Sequence, residues 1–152
     1  MSYASNTSVS QERSKMEIER ILTRYGAEQF VYGWDGDLMV VGFKMKNRMI
    51  QFKIGKPTEQ NIGKVRKRYG ESIQSRTAQK LEQAHRQRWR ALALVIKAKL
   101  EAVESGITEF EQEFLAHIVL PNKQTVGEWA KNQIEEAYSS GKMPKLLSTG
   151  GD

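Results

Sequence analysis

The chain contains no cysteine, which excludes a disulfide framework and any thiolate metal site and suits a reducing compartment. Its only histidines are His85 and His117. Glu113 and His117 lie four residues apart, enough to share a helical face, but two ligands without a third do not make a metal centre. There is no Walker loop, dinucleotide-binding glycine pattern, nucleophile elbow or zinc-protease motif. No enzymatic activity, cofactor or metal is therefore expected. The apolar runs are too short to cross a bilayer, and the opening MSYASNTSVSQERSK lacks the apolar centre of a secretory leader. A cytoplasmic setting with no membrane partner is the expectation.

A hydrophobic fraction of 39% and a charged fraction of 28% fit a globular domain, and 152 residues suffice for one core without staples. The net charge of +6 is unevenly placed. Residues 1–63 carry 9 basic and 7 acidic side chains, residues 64–100 carry 11 and 2, and residues 101–152 carry 4 and 9. Such a concentration of positive charge focuses a field that attracts polyanions or an acidic protein surface. The alternative is that these cations pair with the acidic C-terminal third, within one chain or between copies.

Apolar spacing predicts the order of elements. Residues 1–13 are polar and poor in anchors, so a flexible N-terminus is expected. Ser14 and Glu17 have the spacing of a capping box and open a helix whose face is Met16, Ile21, Leu22 and Tyr25, ending at Gly26. From Glu28 the period changes to two. Asp35-Gly36-Asp37 and Lys46-Asn47-Arg48 are turn signals between β-rich runs, giving a three-stranded antiparallel meander within 28–55. The two aspartates read as turn residues rather than a catalytic pair. Gly33, Gly36 and Gly42 likewise belong to strands and turns, since no helix N-terminus follows them to cradle a phosphate.

The longest helical pattern runs from Arg76 to Gly106. Trp89, Leu92, Ile96, Leu100 and Val103 form its apolar face, with Leu94 and Val95 expected to widen it. Thr108 with Glu111 and Thr125 with Glu128 have capping-box spacing and open two shorter helices, the first along Phe110, Phe114 and Ile118, the second ending near Gly141. The predicted class is α+β: an N-terminal helix, the meander, a long central helix packed on the sheet and two shorter C-terminal helices. Residues 14–141 form the single domain, with its helical part over 76–141, and 142–152 a tail.

The candidate binding residues follow from the charge map. Lys64, Arg66, Lys67 and Arg68 precede the central helix, and Arg86, Arg88 and Arg90 lie in its basic half, where they are placed to hold phosphates. Tyr69 is a candidate stacking residue for unpaired bases. Trp89 continues the apolar face and reads as core. Lys44, Lys46, Arg48, Lys53 and Lys56 decorate the later strands and their connections, which also protects a sheet edge from aggregation.

The blocks YGAEQFVYGWDG, RQRWRALALVIKAKLEAVESGITEFEQEFLAHIVLP and TVGEWAKNQIEEAYSSGKMPKLL resemble a family of small uncharacterised bacteriophage and prophage proteins, over about Ser14 to Leu147. The resemblance implies a mobile-element origin and a bacterial cytoplasm, and carries no activity with it. In element order alone, helix, meander and helix is similar to double-stranded-RNA-binding domains, and three strands before a long helix to the core of single-strand annealing proteins. The leading expectation is a non-catalytic nucleic-acid-binding protein for single-stranded DNA or recombination and replication intermediates, in a form open to homo-oligomerisation. The rival expectations are an inhibitor or adaptor of a host enzyme or defence system, and a self-assembling structural protein.

Overall fold

The computed structural model describes residues 3–66 and 69–144. Helix α1 (Tyr3–Arg24) is followed by strands β1 (Gln29–Asp35), β2 (Leu38–Met45) and β3 (Arg48–Gly55), then by α2 (Ile73–Glu104), the single turn α3 (Phe110–Glu113), a 3-10 turn over Leu115–His117, and α4 (Val126–Ser140). The class is the α+β arrangement the sequence predicts.

The sheet is a plain antiparallel meander of order β1-β2-β3, and its register follows from its two reversals. Gly36 takes φ +59 at the first central position of a two-residue turn, where a side chain would be strained. Lys46 and Asn47 both take positive φ, 51 and 60, the handedness that matches the twist of the flanking strands. This register sets Phe30, Tyr32 and Trp34 of β1 on the same face as Met39, Val41, Phe43 and Met45 of β2 and Ile50 and Phe52 of β3.

That face is covered by α1 and α2. Ile18, Ile21 and Leu22 from α1 meet Trp89, Leu92, Ala93, Ile96 and Leu100 from α2 over the inward residues of β2 and β3, and Phe110, Phe114 and Ile118 close the far end. Phe114 packs edge-on against Phe43 with centroids 5.8 Å apart. Lys15 is buried where α1 crosses the sheet. Its ammonium lies 4.0 Å from the Tyr32 ring centroid and 5.3 Å from that of Trp89, and pairs with Glu12 at 3.1 Å.

Five expectations need correction. Met16, expected on the apolar face of α1, is 57% exposed. The helix does not start at Ser14 after a flexible stretch: α1 already runs from Tyr3, because no Gly or Pro intervenes and an established helix propagates cheaply. Leu94 and Val95 do not widen the buried face of α2. They are 64% and 44% exposed, since at 100° per residue they lie on the far side from Ile96. The Thr108 capping box does not form, and Glu109 caps α3 without a side-chain bond. That helix stops after one turn because Ile118 turns to the sheet edge, where it bridges Ile50 while the Val119 amide donates to the Met49 carbonyl at 2.8 Å. Finally, α2 begins at Ile73 rather than Arg76, with the Ser75 amide donating to the Ser72 hydroxyl at 3.0 Å.

The third capping box forms as its spacing predicts. The Glu128 amide donates to Thr125 Oγ1 at 3.2 Å, the Thr125 hydroxyl donates back to Glu128 Oε1 at 3.1 Å, and Gly141 closes α4 at φ +71.

Candidate nucleic-acid interface

The basic half of α2 is organised by helical spacing. Gln83, Arg86, Gln87 and Arg90 recur at steps of three and four, which places them along one flank, turned away from the buried Trp89, Leu92 and Ile96. Arg86 and Arg90 with the two glutamines line a shallow depression of about 250 Å³. A second depression of about 320 Å³ shares Gln83 and Gln87 and adds Lys80, Asn61 and Ile62. The two form a polar trough along the helix, supplied with amide donors and three cations.

The connection from β3 forms the other wall. Lys80 donates from Nζ to the Lys64 carbonyl at 3.0 Å, which brings Lys64 to the trough. Arg66 is exposed beyond it, and Tyr69 is fully exposed on a turn. Lys67 and Arg68 lie outside the described residues. Arg88 is set apart from Arg86 and Arg90, turned toward the sheet, where its guanidinium donates to the Gly55 carbonyl at 2.6 Å.

At that end of the sheet lies a feature the charge map does not single out. Trp34 is 51% exposed, and Lys56 holds its ammonium 4.2 Å from the ring centroid. Lys56 and Arg88 also surround His85, whose pKa is lowered first by burial and then by these two cations, with Glu82 opposing. His117 is likewise lowered, by burial and by Lys99. Below about pH 6.5 the unfolded chain therefore binds more protons than the folded one, and the protein loses stability as the pH falls.

Ion pairing within the chain bears on the charge asymmetry. Among the described residues, the acidic C-terminal third pairs with the sheet and the apolar half of α2: Arg48 with Glu111 at 3.0 Å, Lys53 with Glu128 at 2.8 Å and Lys99 with Glu113 at 3.2 Å. Arg76 meets Glu71 at 3.7 Å. No ion pair described here involves Lys56, Lys64, Arg66, Lys80, Arg86, Arg88 or Arg90. Among the described residues, the field of these cations is thus not cancelled by ion pairs.

The Glu113 and His117 pair has no ligand geometry. Glu113 is engaged by Lys99, and His117 stacks on Phe52 with ring centroids 4.0 Å apart. No cluster of three or more metal-ligating side chains occurs among the described residues, and no described helix is long and apolar enough to cross a membrane. Comparison with protein-family models, curated proteins and solved structures returned no match.

Lys80, Gln83, Gln87 and Trp34 join the residues that sequence reasoning nominated, and Lys56 is the strand-connection cation that stands beside them. The trough was foreshadowed by the helical spacing of Gln83, Arg86, Gln87 and Arg90. Nothing local marks Trp34, whose neighbour Lys56 arrives from beyond β3.

Proposed function

We propose that this protein binds nucleic acid without catalysing a reaction, and that its ligand is single-stranded DNA or an intermediate of recombination or replication. The observation that carries this reading is the trough on α2, lined by Lys80, Arg86 and Arg90 with no acidic partner among the described residues. Regularly spaced cations beside amide donors suit a phosphate backbone, which is held by charge and hydrogen bonding without regard to sequence. Trp34 supplies an aromatic surface at the end of the sheet, and an exposed ring next to cations is the arrangement on which unpaired bases stack. Tyr69 offers a second exposed ring on the connection that walls the trough. A bacteriophage setting in a bacterial cytoplasm, which the sequence resemblance implies, suits such a protein.

Trp34→Ala tests the preference for single strands. Base stacking on an aromatic side chain contributes about 1–3 kcal/mol, so single-strand affinity is expected to fall roughly tenfold while duplex binding stays nearly constant. Fluorescence anisotropy with matched oligonucleotides measures both. An equal loss on the two ligands would remove Trp34 from the site.

The environment of His85 adds a pH dependence. A phosphate between Lys56 and Arg88 offsets their repulsion of the imidazolium, so binding takes up a proton. Affinity is expected to rise as the pH falls below 6.5 toward the lowered pKa of His85, and His85→Gln is expected to flatten the profile. A profile unchanged by that substitution would exclude His85. If wild-type protein bound neither DNA nor RNA at low salt, the same cations would be reassigned to an acidic protein surface, that of a host enzyme or defence system.

A further inference from the structure

The sheet has one closed edge and one open edge. Beyond β3, Ile118 bridges Ile50 and the Val119 amide donates to the Met49 carbonyl at 2.8 Å, so the chain occupies that edge with its own backbone. The strand order ends at β1 on the other side, and no described backbone bond outside the sheet ladder reaches Phe30, Tyr32 or Trp34. Those three residues turn their amides and carbonyls outward. The two-residue turn makes Asp35 and Leu38 a hydrogen-bonded pair, and alternation along the ladder then points Gln29, Val31 and Gly33 toward β2 and their neighbours away from it.

A free edge is commonly blunted by lysine or proline. β1, Gln-Phe-Val-Tyr-Gly-Trp-Asp, carries no Lys, Arg or Pro over its seven residues. It is also self-complementary. Antiparallel pairing of two β1 strands sets outward residues opposite outward residues, and among the registers that allow this the one centred on Tyr32 pairs all seven: Tyr32 with Tyr32, Phe30 with Trp34, Val31 with Gly33 and Gln29 with Asp35. Aromatic rings then meet on the face that α1 and α2 cover, Val31 fills the space a glycine leaves on the other, and no like charges stand opposite. The core layer is unfinished at this edge. Tyr32 packs edge-on against the buried Trp89 at 6.2 Å yet is 41% exposed. Lys15, which lies over Tyr32, brings no net charge to the axis because Glu12 pairs with it at 3.1 Å.

We propose that two copies of the chain join through β1 in an antiparallel two-fold pair, making one continuous six-stranded sheet with the helices of both copies on the same face. The backbone groups of Phe30, Tyr32 and Trp34 are then hydrogen-bonded, and the rings of each edge are covered by those of the other. Phe30 of the other copy takes the place beside Trp34 that an unpaired base would take, so the pair is the form of the protein free of nucleic acid. Failure of the proposal leaves the nucleic-acid reading standing, since no residue of the α2 trough belongs to β1.

Light scattering of the full chain, without nucleic acid and over a concentration series, is expected to approach twice the monomer mass. The chain has no cysteine, so introduced thiols report the register. In the paired strands Gln29 stands opposite Asp35 of the other copy with Cα atoms about 4.5 Å apart, within disulfide reach, whereas the two copies of Gln29 are about 20 Å apart, as are the two of Asp35. An equimolar mixture of Gln29→Cys and Asp35→Cys is therefore expected to form a covalent dimer under mild oxidation, read on a non-reducing gel, while each variant alone gives little. Both side chains are exposed in the single chain, so the substitutions leave the core intact, and far-UV circular dichroism checks this. Two results overturn the proposal: a wild-type monomer at every concentration, or a dimer whose mixed variants cross-link no better than each variant alone.

Discussion

Replacing Arg86 and Arg90 together with glutamate is expected to weaken binding to single-stranded DNA by roughly a hundredfold or more, taking about 1.4 kcal/mol for each lost charge-assisted contact. Both side chains line one depression on the same flank of α2, so the reversal places two negative charges where phosphates would pass. The logarithmic salt slope should fall by about 1.4, the contribution of two phosphates on a single strand. Circular dichroism and the melting temperature should stay near wild type, because neither residue belongs to the buried core. Anisotropy titrations at several salt concentrations measure slope and affinity together. Retained affinity with an unchanged slope would remove both residues from the interface.

The largest loss of stability is expected at Trp89. Its side chain is fully buried between α1, α2 and the sheet, 6.2 Å centroid to centroid from Tyr32 in an edge-on pair. Trp89→Ala should cost about 3–5 kcal/mol through lost burial and the cavity it leaves. For a domain of this size that is a fall of roughly 10 °C in melting temperature. Trp89→Phe should cost much less, since the indole Nε1 has no hydrogen-bond partner to leave stranded among the described residues. A small effect of Trp89→Ala in thermal or urea unfolding would show that α2 is not the principal cover of the sheet.

Much of the fold is legible because period and turn chemistry agree over long stretches. The alternation from Phe30 to Ile54, interrupted by Asp35-Gly36-Asp37 and Lys46-Asn47, leaves a meander as the natural arrangement, and the 3.6-residue period from Trp89 to Leu100 sets the core face of α2. The reading fails where tertiary contacts override local signals. Thr108 and Glu111 have capping spacing, yet the segment beyond them is drawn to the free edge of β3 through Ile118 and Val119. Ser14 has a capping neighbour too, but a cap signal does not stop a helix that nothing upstream interrupts.

The site is legible in part. Charge density points to Arg86, Arg88 and Arg90 as a group, but only the folded helix divides them, with Arg86 and Arg90 in the trough and Arg88 bound to the Gly55 carbonyl. Sequence alone also leaves open where the acidic third places its charge. The answer is a set of long-range pairs, Arg48 with Glu111 separated by 63 positions, that no local pattern encodes.

The central claim is that the cations of α2 and its preceding connection hold a phosphate backbone. It is tested most directly by equilibrium binding of the wild-type chain to a fluorescent single-stranded oligonucleotide across a salt series. The expected result is measurable affinity whose logarithm falls linearly with that of salt, with a slope of about −2 to −4 for three to five phosphates held. Absence of binding at low salt, or an affinity indifferent to salt, would contradict it.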